Sequence, residues 1–413
     1  MIVTRKRQYS FLLLSLAYLS FVSLGLPDGL NGVAWPSIRA YFNLPLSALG
    51  SLLVMFTAGY LVSSFWSGRM MALMSLGSLL ALSCLAEAVS LIGYAISPAW
   101  WVMMALGAIA GLGAGGIDAG LNTFAATEFS PRHVNWLHAC YGVGAATGPI
   151  IMTRILAANH PWQRGYAIVG GGQLLLAACF GLTRRSWPPP TDSARLDTRS
   201  ATRASNSSTL RLPVTWLSIA VFFLYTGIEA AAGVWAYTLF TESRGVAIIT
   251  AGLWMPVYWV GLTVGRLLGG VALGFVSANR LLRFHVAGMA LGAALIWLNA
   301  TTLLSFLGLG LMGFASASVF PSLIATTPSR LGPMHTSNGI GFQIAAAALG
   351  QSFLPAFTGV LAGKLGLEII GPALFVACLA LLGLIGVLTS INRETNETPA
   401  SVGPIAREPS KHI

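Results

Sequence analysis

The chain has 413 residues, 55% of them hydrophobic and only 8% charged, and its mean hydropathy is +0.75. A soluble globular protein carries about 25% charged residues, so charge this sparse cannot cover a water-facing surface and the composition selects an integral membrane protein. The net charge of +11 sits in short loops and tails rather than on a basic, aromatic-interleaved face, which excludes nucleic acid as the partner.

The first apolar run follows Arg5, Lys6 and Arg7 and covers 10–34, well past the roughly 7–15 residues of a signal-peptide core. It carries a carboxylate, Asp28, with Asn31 and Trp35 on the same helical side. About 20 apolar residues cross a bilayer as helix. Eleven further runs qualify: 46–67, 77–96, 99–127, 133–158, 162–183, 213–240, 248–275, 281–300, 302–326, 333–362 and 367–391. The expected fold class is an all-α membrane protein of twelve transmembrane helices. Span 2 ends on Gly68 and Arg69, span 3 carries Glu87, and span 4 holds "GLGAGGIDAGLN", with Asp118 and Asn122 one turn apart. Span 5 opens with Asn135, His138 and Tyr141, and span 6 carries Gln173. Cys84, Cys140, Cys179 and Cys378 lie inside apolar runs, with no paired spacing for a disulfide or a metal.

Residues 184–212 are rich in Pro, Ser, Thr and Arg and offer nothing apolar to bury, so a disordered cytoplasmic linker is expected there. It separates an N-terminal six-helix bundle, 1–183, from a C-terminal one, 213–392, which is followed by a tail, 393–413. Span 7 brings Glu229 and Trp235; span 8 brings Trp254, Tyr258, Trp259 and Arg266; span 11 brings Asn338 and Gln343. With the N-terminus inside, the outer loops keep five of the 23 Lys and Arg residues (Arg39, Arg154, Arg164, Arg244 and Lys364) and the inner loops and tails collect the rest. That bias predicts two cytoplasmic termini.

The halves echo each other. Asp28, Gly32 and Trp35 in span 1 match Glu229, Gly233 and Trp235 in span 7, and Gly68-Arg69 matches Gly265-Arg266. Spans 4 and 10 share Gly-Leu-Gly at 111–113 and 308–310; His133 and Asn135 match His335 and Asn338. Such an order indicates two homologous halves, a form known in secondary transporters. Twelve spans, a basic central loop and this repeat resemble the major facilitator superfamily, two pseudo-symmetric six-helix bundles. "GLGAGGIDAGLN", "HVNWLHACYGVGAATGP", "YWVGLTVGRLLGG" and "NGIGFQIAAAALG" resemble its fucose permease-like branch. The resemblance implies that Asp118 and Asn122 belong to a sugar and proton site and that an acid in span 1, here Asp28, takes part. It also implies that the loop after span 2 helps latch the cytoplasmic gate. Here the latch loop "SGRMMALMSLGSLL" keeps Arg69 but has Ala72, Leu73, Ser75 and Ser78 where charges and a glycine belong.

A carboxylate at the bilayer centre costs roughly 2.5–3.5 kcal/mol by insertion scales. Removal from water disfavours the charged form, so an acid facing a closable cavity can take a proton at one stage of a cycle and release it at another. The structural alternative is a neutral or paired acid that holds helices together, which fits Glu87 best. The candidate substrate-binding or proton-coupling residues are Asp28, Asn31, Asp118, Asn122, Asn135, His138, Tyr141, Glu229, Trp254, Tyr258, Asn338 and Gln343, with Arg69 and Arg266 as gating residues. Tryptophan and tyrosine also favour membrane interfaces, and His138 near a helix start also suits a structural role.

The sequence has no GxxxxGK[ST] and no metal-spaced His or Cys set, so no enzyme, metal or cofactor is expected. The expectation is a monomeric, proton-coupled importer of a small polar solute such as a sugar, multi-pass in a bacterial inner membrane. Two other readings stand beside it: a proton-antiport exporter of an amphiphilic compound, and a transport-inactive sensor or scaffold.

Overall fold

A computed structural model describes residues 11–129, 131–187, 204–272 and 275–397. Twelve long helices dominate: α1 Phe11–Phe42, α2 Ala48–Leu73, α3 Leu76–Ile96, α4 Trp100–Glu128, α5 Pro131–Ala157, α6 Gln163–Thr183, α7 Pro213–Thr238, α8 Ile248–Ala272, α9 Ala278–Leu298, α10 Thr302–Ser316, α11 Pro333–Leu365 and α12 Ile370–Glu397. Each coincides with one expected span. In hydrocarbon a backbone must satisfy its own polar groups, which is why long apolar runs become uninterrupted helices. Among the described residues, eleven helical segments are long and apolar enough to cross a membrane. The exception is α5, which carries Arg132, His133, His138 and Arg154 and packs its glycines against α1.

Local chemistry sets the helix ends. Asn43, Asn159 and Asn299 turn left-handed, with φ of 54°, 56° and 46°, within two residues of the ends of α1, α5 and α9; asparagine tolerates that conformation where a helix stops. Ser75 and Thr301 cap α3 and α10 by accepting from the N–H groups of Ser78 and Leu304. The expected span 302–326 is not continuous: α10 stops at Ser316 and helix resumes at Val319–Ala325. Pro321 has no N–H to offer the carbonyl of Ala317, so an unbroken ladder is impossible there.

The pairing pattern makes the repeat physical. In the first half α1 packs on α5, α2 on α4, and α3 on both α4 and α6. In the second half α7 packs on α11, α8 on α10, and α9 on both α10 and α12. Adding six to each label of the first set yields the second. Close approach is bought by missing side chains: a Cβ on Gly144 of α5 would collide with the Val22 carbonyl of α1, and one on Gly350 of α11 with the Phe223 carbonyl of α7. The halves then meet along α1–α7, α2–α11 and α5–α8.

Part of the expected linker, 184–212, is described. Trp187 is buried against Phe124 and Phe180, and Asn206–Leu210 forms a helical turn before α7; residues 188–203 lie outside the described residues, as does 398–413 of the expected tail.

Candidate functional site

A cavity of about 240 Å³ lies between the halves. Asp28 and Asn31 reach it from α1, Thr57 and Tyr60 from α2, Asp118 from α4 and Tyr141 from α5. Glu229 of α7, Trp259 of α8 and Gln351 of α11 line it from the second half. Leu24, Leu53, Phe56, Ala114 and Val234 supply apolar wall, and the lining contains no lysine or arginine. Drug-sized pockets run from about 300 to 1,000 Å³, so this chamber suits a smaller molecule.

Each cavity carboxyl has a tyrosine. The Tyr141 hydroxyl donates to Oδ2 of Asp28 at 2.6 Å, joining α5 to α1. The Tyr60 hydroxyl donates to Oδ2 of Asp118 at 2.6 Å, joining α2 to α4, and Nδ2 of Asn122 donates to Oδ1 at 2.9 Å. The Tyr225 hydroxyl contacts Oε2 of Glu229 on its own helix. Asn31 accepts from Tyr166 of α6 at 2.7 Å. These bonds hold the carboxyl groups at set positions around the chamber, where each presents acceptor oxygens to a ligand's hydroxyl groups or a site for a proton.

One end of the seam is shut. Arg39, at the end of α1, pairs with Glu242 at 2.7 Å across the halves; Glu242 sits on a π-helical turn, Leu239–Ser243, that extends α7. Just below, a Cβ on Gly32 would meet the carbonyls of Gly233 and Val234 at 3.0 and 3.1 Å. At the opposite end Arg69 is exposed, lies over the ring of Trp66 at 5.3 Å, and has no carboxylate partner among the described residues. Here α4 does not pack extensively on α10 or α11. The halves are therefore joined by an ion pair and a close main-chain approach at the end that carries Arg39 and Glu242.

The sequence pattern of the Major Facilitator Superfamily matches residues 17–333. The chain belongs to the major facilitator superfamily. It is similar to Protein TsgA homolog of Serratia proteamaculans (strain 568), 25% identical over 393 residues that span 90% of this chain and 96% of the relative. Sodium-dependent glucose transporter 1 of Homo sapiens is 21% identical over 386 residues, covering 84% of this chain and 72% of that protein. The crystal structure of a D-xylose-proton symporter matches with a TM-score of 0.67 at 16% identity, over 91% of this chain and 97% of the symporter. The chain is thus a multi-pass membrane transporter and not an enzyme.

Within this major facilitator protein, five of the expected site residues meet at one cavity: Asp28, Asn31, Asp118, Tyr141 and Glu229. Asn122 joins them through Asp118. His138 is exposed and set edge-on to Phe21 at 5.4 Å, outside the lining. The Asn135 side chain lies outside the described residues. Four more of the expected residues lie outside this lining. Trp254 stacks on Phe306 at 4.8 Å instead of facing the chamber. Tyr258 is fully buried and donates to the Glu229 main-chain carbonyl at 2.8 Å. Asn338 donates to the Ala204 carbonyl at 2.8 Å and, with His335, holds Thr209 at the end of the linker. Gln343 is buried and accepts from Thr327 at 3.0 Å. Arg266 is half-buried, and no hydrogen bond or ion pair to it occurs among the described residues. Arg330 lies in the turn Thr327–Leu331 among the carbonyls of Leu323 and Thr326, and burial pushes its pKa down to about 10.

Glu87 is buried against Gln173, between α3 and α6 and away from the cavity lining, which suits the structural role expected of it. Sequence reasoning missed Tyr60, Tyr166, Tyr225, Thr57 and Gln351. For Tyr60 and Tyr225 the signal was available: each lies on a helix that also carries or faces a lone carboxylate, and a buried acid needs a donor.

Proposed function

We propose that this transporter imports a small, uncharged, hydroxyl-rich solute such as a sugar, together with protons, by alternating access. The observation that carries the reading is the cavity itself: carboxyl groups from both halves, amides and hydroxyls, one tryptophan face, and no lysine or arginine in the lining. Such a lining offers acceptors to a polyol and repels an anion. Carboxyl groups in a closable chamber are the natural proton carriers, and protonation shifts the inward–outward equilibrium through its different affinity for the two states. The two relatives with sugars in their names, a glucose transporter and a xylose–proton symporter, favour the same solute class. The cation bias of the loops and the bacterial relative favour a bacterial inner membrane with both termini cytoplasmic. On that orientation the end joined by Arg39 and Glu242 faces away from the cytoplasm.

A thermal-shift screen of neutral sugars, amino sugars and sugar acids on the purified chain, repeated on Asp118→Asn, tests the site. A neutral sugar that raises the melting temperature of the parent and not of the variant supports the reading; stabilisation by sugar acids alone sinks it. In proteoliposomes, accumulation of that sugar should follow an inward pH gradient and ignore a sodium gradient. The apolar wall formed by Leu24, Leu53, Phe56 and Val234 favours a second reading, proton-driven export of an amphiphilic compound. Accumulation in energised inside-out vesicles would identify export.

A further inference from the structure

Tyr225 stands between two acceptors. Its hydroxyl contacts Oε2 of Glu229, one turn along α7, and the main-chain carbonyl of Ser316 at 2.9 Å. A phenol has a single hydrogen to donate. The Ser316 carbonyl can only accept, and it ends α10, where the last carbonyls lack the N–H of a following turn. Both residues are buried, at 1% and 0% exposure, so water does not replace the phenol there. An orphaned buried carbonyl costs more than an average hydrogen bond contributes. When the phenol hydrogen goes to Ser316, the contact with Glu229 holds only if the carboxyl brings a hydrogen of its own. Tyr60 and Tyr141 differ: among the hydrogen bonds of the described residues, each has its carboxylate as the only acceptor.

We propose that Glu229 is the acid that carries a proton in this conformation, donating to the Tyr225 oxygen while Tyr225 donates to Ser316, and that losing this proton loosens the α10 break. On ionisation the proton passes to water in the cavity that Glu229 lines. The Tyr225 hydrogen turns to the new carboxylate, and the Ser316 carbonyl is left without its donor at the gap between α10 and Val319–Ala325. The protonation state of one side chain is thereby coupled to a helix break in a different part of the same half. The surrounding titratable and charged groups are Tyr225 on α7, Tyr258 and Arg266 on α8, Asp28 on α1 and Tyr141 on α5, with Cys378 of α12 beside Tyr258. Tyr258 is already committed to the Glu229 main-chain carbonyl and does not compete for the carboxyl.

Its place in a transport cycle rests on the proton-coupled reading above, but the protonation itself is measurable without transport. Infrared difference spectra between acidic and alkaline buffer, on the full chain in lipid vesicles, report protonated carboxyl stretches. At neutral pH the parent should show a band that Glu229→Gln removes and that Tyr225→Phe, which takes away the oxygen the carboxyl donates to, shifts in frequency. Glu87→Gln removes whatever the other buried carboxyl, Glu87, contributes to the same region of the spectrum. A neutral-pH spectrum unchanged by both Glu229→Gln and Tyr225→Phe, or a band lost only in Asp28→Asn or Asp118→Asn, overturns the assignment. At one alkaline pH, amide exchange across 316–322 should be faster in the parent than in Glu229→Gln; equal rates overturn the coupling to α10. Solute uptake that ignores a pH gradient while the Glu229 band behaves as described would instead defeat the proton-coupled reading and leave the protonation standing.

Discussion

The two halves hold their cavity acids differently. In the first half the tyrosine comes from a neighbouring helix, so Asp28 and Asp118 themselves tie α1 to α5 and α4 to α2. In the second half Tyr225 shares α7 with Glu229, and the bridge to the next helix runs from the tyrosine to the Ser316 carbonyl. The same pair of side chains does different mechanical work according to what else the phenol touches. Where the acid is the bridge, its charge strengthens the join; where the tyrosine is the bridge, charge on the acid competes with it.

The largest effects should come from breaking what the halves share. Gly144→Leu and Gly350→Leu press on main-chain carbonyls at equivalent helix crossings. Overpacking costs about 1–3 kcal/mol and sometimes more, so both should sharply lower the melting temperature and the monodisperse yield in size-exclusion chromatography. A large loss for one and none for the other would deny that the crossings are equivalent. Next, Asp118→Asn should leave the fold intact and lower gradient-driven accumulation at least about tenfold, a loss of roughly 1.4 kcal/mol, measured in proteoliposomes. Tyr60→Phe and Tyr141→Phe remove a donor to a charged acceptor, worth about 1.5–3 kcal/mol when buried; thermal melts should show each cost, and unaltered stability in both would mean that the first-half acids are not bridges. Arg39→Ala removes a cross-half pair whose side chains are 29% and 26% exposed. Partial exposure limits it to about 0.2–1 kcal/mol, enough to raise labelling of a cysteine placed on the shut side of the cavity by a few-fold. Least of all should follow from Glu87→Gln, which keeps a hydrogen-bonding partner for Gln173 outside the lining and should leave transport unchanged.

The spans were legible because hydropathy contrast is strong and bilayer thickness sets their length. Even α5, the least apolar, was recoverable from its position between polar connections. The acids stood out for the same reason: Asp28, Asp118 and Glu229 are charges in apolar surroundings, and the structure brings them to one cavity. Their partners were hidden. A tyrosine inside a span looks like an interface residue until the facing helix is known, so Tyr60 and Tyr225 were passed over. Polarity alone points Asn338 and Gln343 to the cavity, yet polar groups also satisfy partners elsewhere: Asn338, near the start of α11, holds Thr209, and Gln343, well inside that helix, holds Thr327. The break after Ser316 was blurred because the "SASVFPS" stretch keeps its apolar content while Pro321 removes a backbone donor.

The chamber's modest capacity has a kinetic corollary. A molecule entering about 240 Å³ of space must shed nearly all its accompanying water, and walls that are partly hydrocarbon return little of that hydration. On the proposed reading, the cost of drying adds to what the carboxyl, amide and hydroxyl groups of the lining select, and it weighs most on ions and oligosaccharides.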